Sequence, residues 1–240
     1  MPRRASRPHD DGRQRARLGD RHRRSVETRR GRGPDFLRLL AEHGADLDRP
    51  GGETWRGEVP ARTPYQHAIL RGRGDQAETL ATLGASTEVD PQDRAVAAVA
   101  RGERPEAPLP DALDPDAQEV LILAALWGPA DLVVDLVGPD FRGVVGGSPE
   151  GTLLHHAAWV GDPEVVRRLL ARGADPAARA NADFDSPLGW AALASRSNEL
   201  PGRDYVAVAE LLADAGDVIE PRFLEVADGP LYEWLEERLG

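Results

Sequence analysis

With 240 residues the chain has room for one or two globular domains, or for a single array of five or six short repeats. It has no cysteine, which excludes disulfide frameworks, zinc ribbons and thiol redox chemistry and fits a reducing, cytoplasmic setting. The net charge of -11 hides an asymmetry: twelve Arg against Asp10, Asp11, Asp20 and Glu27 give residues 1–33 a balance of +8, and 18 Arg against 37 acidic residues give residues 34–240 a balance of -19.

Residues 1–33 hold only Met1, Ala5, Ala16, Leu18 and Val26 as ordinary apolar residues, too few to offset the entropy of ordering, so this segment is expected to be a disordered, Arg-rich tail. It has no apolar signal-peptide core. From Pro34 onward, Phe36, Leu37, Leu39 and Leu40 recur at helical spacing, and Gly44 supplies the residue that ends a helix. A Gly/Pro-rich finger containing Trp55 follows. Thr63 then caps a new helix with Pro64 at its first position, and the cycle closes at Gly84-Ala85.

The next unit is weaker. Residues 94–100 read as a short apolar helix, and Pro105, Pro108 and Pro110 leave room only for an irregular or short second one. Residues 119–127 restart the pattern, and Val120 to Trp127 form the longest strongly apolar stretch. It is core-sized, well below the ~18 residues of a membrane span. The fullest unit runs Thr152-Leu153-Leu154-His155-His156-Ala157-Ala158-Trp159, then Val165-Val166-Arg167-Arg168-Leu169-Leu170 and Gly173-Ala174-Asp175. Ser186-Pro187-Leu188-Gly189-Trp190-Ala191-Ala192 opens the next, 34 residues after Thr152. A polar insertion at 195–204 delays its second helix, and residues 221–240 read as a C-terminal cap with a charged face.

A fixed period of this length marks a solenoid, and the letters carrying it resemble ankyrin repeats, whose first helix opens Thr-Pro-Leu-His-x-Ala-Ala. Thr152, His155, Ala157 and Ala158 match, with Leu153 in the proline position. Ser186, Pro187, Leu188, Ala191 and Ala192 match, with Gly189 for the histidine, and Thr63, Pro64 and Ala68 match with Gln66 for the histidine. The resemblance implies an all-α helix-turn-helix solenoid over residues 34–220, of about five to six repeats with the first and third degenerate. It also implies that His155 is structural, bonded to the neighbouring repeat's backbone, and that Gly173 ends its helix in a left-handed turn. Trp190 is expected to face the core.

No catalytic constellation is present, and no cofactor or metal is expected. His155 and His156 are adjacent on a helix, about 100° apart, and cannot chelate one ion from one face. Gly72-Arg73-Gly74 reads as a turn and not a phosphate cradle, and Asp114/Asp116 and Glu236/Glu237 as solvated caps and faces. The position after the paired alanines holds Leu70, Leu126, Trp159 and Leu193, an apolar column that either packs inside or forms a contact patch. Trp55 and Phe184, in finger segments, read as exposed contacts. The resemblance implies a non-enzymatic protein-binding module, a scaffold, adaptor or inhibitor, working through its fingers and concave face. The acidic body favours a basic partner. The alternative is a nucleic-acid-associated regulator that uses the tail. No membrane partner is expected.

Overall fold

The structure, a computed structural model, describes residues 32–54, 57–180, 183–196 and 202–240. Trp55 and most of the basic segment lie outside the described residues. The chain forms helix α1 (Arg32–Glu42), strands β1 (Gly51–Thr54) and β2 (Gly57–Arg62), then α2 (Pro64–Leu70), α3 (Gly74–Thr82), α4 (Pro91–Ala100), α5 (Pro115–Trp127) and α6 (Ala130–Val137). Strands β3 (Arg142–Gly143) and β4 (Gly151–Thr152) follow. Helices α7 (Leu153–Val160), α8 (Pro163–Ala171), α9 (Pro187–Ser195) and α10 (Tyr205–Ala215) come next. A 3-10 turn (Pro221–Glu225) and α11 (Gly229–Leu239) close the array.

Two helical layers result. The first helices α2, α4, α5, α7 and α9 pack side by side, and the second helices lie behind them, α1 against α3 and α6, α8 and α10 in succession. Two places break the pattern. Among the described residues the first unit contributes only its second helix, α1, and the third unit has α4 but no helix across residues 101–113, where its prolines fall. Two antiparallel hairpins project between units, β1 with β2 and β3 with β4, the second in register Arg142↔Thr152.

Local chemistry sets each helix start. Thr63 and Thr152 form capping boxes with Gln66 and His155, and Ser186, Asp90, Asp114, Asp162 and Asp204 accept from backbone amides of the first turn. Proline occupies the first position of α2, α4, α5, α8 and α9, where no amide hydrogen is needed. Gly173, at φ 88°, turns the chain out of α8. Gly161 (φ 73°) is doubly constrained, because a Cβ there would stand 2.8 Å from the Tyr205 ring.

The apolar core is one continuous cluster from Leu70 to Leu235, with a small satellite of Ala68, Ala77, Leu80 and Ala85 at the N-terminal end. At the junction lies a buried ion network. Arg62, 3% exposed, grips Asp93 with two bonds of 2.7 Å, bonds Asp114 at 2.6 Å and reaches Asp116 at 3.5 Å. Arg71 joins Asp116 to Glu119, each at 3.1 Å, and Glu119 also accepts the Gly146 amide. Residues from β2, α2, α4, α5 and the second finger are thereby tied together. Asp116 is not a solvated cap: it is 3% exposed, within this network. Burial opposes the charge on Arg62, but hydrogen bonds to Asp93 and Asp114 outweigh it and push its pKa up. For Asp114, burial raises the carboxyl, and the bonds from Arg62 and the Ala117 amide bring it below its ordinary value.

Replacing Arg62 by Leu strips the guanidinium from Asp93 and Asp114 and is expected to cost about 3–5 kcal/mol in urea unfolding followed by circular dichroism. Arg62→Lys recovers only a minor part, because an ammonium cannot reproduce the two-pronged grip. A variant within about 1 kcal/mol of the parent would show that the network contributes little net stability.

Candidate interaction face

Four of the first helices are followed by a glycine, and the residue nine positions before it is polar and buried or half-buried. Gly72, Gly102, Gly128 and Gly161 lead back to Thr63, Asp93, Glu119 and Thr152, and Ser186 holds that place in α9. Three of the five are hydroxyls that cap their helix. In α4 and α5 the helix begins earlier, at the caps Asp90 and Asp114, so the equivalent residues Asp93 and Glu119 lie inside it as carboxylates. A buried carboxylate needs a cation, which Arg62 supplies to Asp93 and Arg71 to Glu119. These substitutions explain why both units lack the repeat letters and keep the repeat geometry.

In α7 and α9 the same place is neutral. His155, with no exposed surface, donates from Nε2 to the Asp185 carbonyl at 2.9 Å, so its Nδ1 accepts the Thr152 amide at 3.2 Å. His156 donates from Nε2 to the Gly143 carbonyl at 3.0 Å. The two imidazoles thus serve different neighbours, and both meet the buried Trp190 ring edge to face, at 5.2 and 5.1 Å. Among the described residues no group of three His, Asp or Glu is placed to hold a metal ion. Gly189 stands in the histidine position of α9 because the space is taken: a Cβ there would already lie 3.2 Å from Phe184 and from Phe223. Asp217 replaces the missing hydrogen bonds by accepting the Leu188 amide at 2.8 Å.

The column after the paired alanines does not form a patch. Leu70 and Leu126 are buried in the core, Leu193 is half-buried, and only Trp159 is exposed. Short alanines beside Leu70 and Leu126 let neighbouring helices close over them, whereas the Trp159 indole is too large to enclose. It rests edge-on against Trp190 at 6.2 Å, and its carbonyl accepts the Tyr205 hydroxyl. Phe184 is likewise no free contact. It is half-buried against Phe223, with the Arg222 guanidinium 5.6 Å above its ring.

The most exposed large apolar side chain stands one position further along, outside the column. Trp127, at the end of α5, is 63% exposed, in the register that Arg71 and Arg101 occupy after α2 and α4. It borders a groove of about 360 Å³ with Ala100, Val120 and Leu123 in its lining and Arg71 and Arg73 at its edge. An indole left in water beside an apolar groove has the chemistry of a contact anchor. Taking the residue after the alanine pair as the outward one hid Trp127. Aligning on the helix-ending glycines reveals it.

Two layers of short helices with hairpins projecting between units define the class, a repeat solenoid. Residues 151–181 match the ankyrin repeat family model, so this part of the chain is similar to an ankyrin repeat. Among solved structures, the human ASB11 ankyrin repeat domain is 22% identical, with 84% of this chain and 76% of that one covered at a TM-score of 0.36. No curated protein matches the sequence. Ankyrin repeats are in general protein–protein interaction modules.

Two tests address the buried side of this face. Trp190→Ala, which opens a cavity beside both histidines, is expected to cost roughly 3–5 kcal/mol in chemical unfolding. The histidines add a pH dependence. Burial pushes His155 down to about 4 from 6.5, against its bond to Asp185, and pushes His156 down against its bond to Gly143. Both are neutral when folded and take up a proton on unfolding. Stability is therefore full above the ordinary histidine value and falls as the pH drops from there, by about 3 kcal/mol for His155 once its folded value is reached. His155→Gln, which keeps a capping side chain, should show a shallower fall in unfolding midpoint between about pH 7 and pH 5 than the parent. Parallel curves would remove His155 as the source. The comparison separates it from Asp217, whose carboxyl is raised by burial and titrates with the opposite sign.

Proposed function

We propose that this chain is a non-enzymatic scaffold or inhibitor that holds a partner protein along the exposed side of its first-helix layer, with Trp127 as the central anchor. The observation that carries this reading is the 63% exposed indole beside an apolar groove, in a family whose members bind other proteins. A partner segment that inserts an aliphatic or aromatic side chain between Trp127 and Leu123 would bury both and exclude water from the groove, the arrangement in which a tryptophan contributes most to binding. Trp159, two-fifths exposed on the following unit, extends the contact surface. The balance of -19 over residues 34–240 favours a basic partner, by raising the rate of encounter more than by strengthening the final contact. The absence of cysteine suits a cytoplasmic setting.

The test compares affinity capture by the parent, Trp127→Ala and Leu70→Ala, with melting followed by circular dichroism on each. Trp127→Ala is expected to keep the parent's helicity and midpoint, because its side chain is mostly in water, and to lose about 2 kcal/mol of binding, some thirtyfold. Leu70→Ala should instead lower stability by about 2–5 kcal/mol. Partner retention by Trp127→Ala at full affinity would sink the anchor. Capture that survives Trp127→Ala but disappears with nuclease and with deletion of residues 1–31 would favour the basic segment and a nucleic acid.

A further inference from the structure

We propose that the N-terminal end of the array pairs with the same end of a second copy of this chain. Helix α1 occupies the place of a second helix, and among the described residues no first helix stands beside it. Phe36, Leu39 and Leu40 recur at i, i+3 and i+4 on α1, so they share one face, and they are 58%, 50% and 37% exposed. Leu37, turned about 100° from Phe36 around the helix, packs on the satellite cluster of α2 and α3. With Leu83 at the end of α3, four of the eight exposed large apolar side chains among the described residues gather at this one end. The other end is finished differently: α11 buries Leu231, Trp234 and Leu235 and turns Glu233, Glu236 and Glu237 to solvent. One terminus therefore carries the polar outer face that an array needs, and the other carries an apolar stripe.

The composition of the chain points to the occupant. Residues 1–31 offer only Met1, Ala5, Ala16, Leu18 and Val26 as ordinary apolar residues, too few and too scattered to make the apolar face of a covering helix. A helical stripe set against its own copy across a two-fold axis is self-complementary, Phe36 and Leu39 meeting Leu40 and Phe36 of the other copy. Charge agrees. The +8 of residues 1–33 enters α1 at this end, where Glu42, Asp46 and Glu78 are exposed, and the rest of the chain carries -19. The opposite charges of residues 1–33 and of the rest of the chain favour the meeting of two copies.

Sedimentation equilibrium of the full 240-residue chain reads the result. The parent is expected to be a dimer with a dissociation constant of about 10 µM or tighter, and Phe36→Glu/Leu39→Glu a monomer with unchanged circular dichroism. Trp127→Glu should stay dimeric, which separates this surface from the partner-binding one. A parent that is monomeric at about 100 µM overturns the proposal. So does a dimer that persists in the Phe36→Glu/Leu39→Glu variant. A monomer whose α1 amides lose hydrogen-exchange protection when residues 1–31 are deleted also overturns it, by showing that the chain's own N-terminal segment covers the stripe.

Discussion

The inner first helices α4, α5 and α7 are each pressed between two others of the layer, so the polar group near the start of each is taken out of water and must find its partner inside the protein. Everything else in the structure is arranged around meeting that demand. The paired alanines allow the close approach that creates the problem, and the fingers bring up the groups that solve it: Gly143 and Asp185 offer carbonyls to His156 and His155, and Arg62 arrives at the end of β2. The fingers are for this reason structural parts before they are contact surfaces. A hairpin whose last residue is clamped by Asp93 cannot swing freely, and any partner that touches it meets a fixed geometry.

Two chemistries meet the same constraint along one chain. In α7 and α9 the groups at the helix start are neutral, hydroxyls and an imidazole, and Asp217 accepts the Leu188 amide. In α4 and α5 the solution is ionic, with Asp93, Asp116 and Glu119 set around Arg62 and Arg71. The ionic version carries a greater desolvation cost and needs partners from several units at once, so it couples units 2, 3 and 4 more tightly than burial of alanine and valine does. That coupling is placed where the second-helix layer is interrupted. Residues 101–113 provide no helix to join α3 to α6, so the first-helix layer alone carries continuity across the gap, and the apolar core splits into its two clusters close by.

This division also decides what can be read from the letters alone. Caps, helix-ending glycines, the two-helix period and the missing helix of the third unit follow from residues within one turn of each other, and Thr63, Pro64, Thr152, His155, Ser186 and Gly173 act as their local context implies. The ion network joins positions 31 to 54 residues apart, and nothing near Asp116 in the sequence distinguishes it from the solvated carboxylates on α11. Exposure was harder still. Whether the residue after the alanine pair points inward depends on how closely the next helix approaches, and that distance is set by side chains in another unit. Leu70 and Trp159 occupy equivalent places and differ in burial because a leucine fits under its neighbour and an indole does not. Phe184 reads as a finger residue open to solvent, but its backbone and Cβ lie against Gly189, where a larger residue would not fit, and its ring packs on Phe223.

The apolar surface that remains in water is not spread evenly. Much of it lies at α1, where among the described residues the first unit has no first helix, and at Trp127, in the unit that follows the one lacking a second helix. In a regular solenoid every repeat covers the face of the one before it, so an interruption leaves exactly one face uncovered on each side of the gap unless other residues close it. At the third unit much of that closure is ionic and internal, and what is left over is a single indole with a groove. At the first unit no such closure is present among the described residues, and a helical stripe is left. Local breaks in a repeat pattern are therefore where the array stops being its own partner, and both breaks in this chain coincide with apolar side chains too large and too exposed to be explained by packing within it.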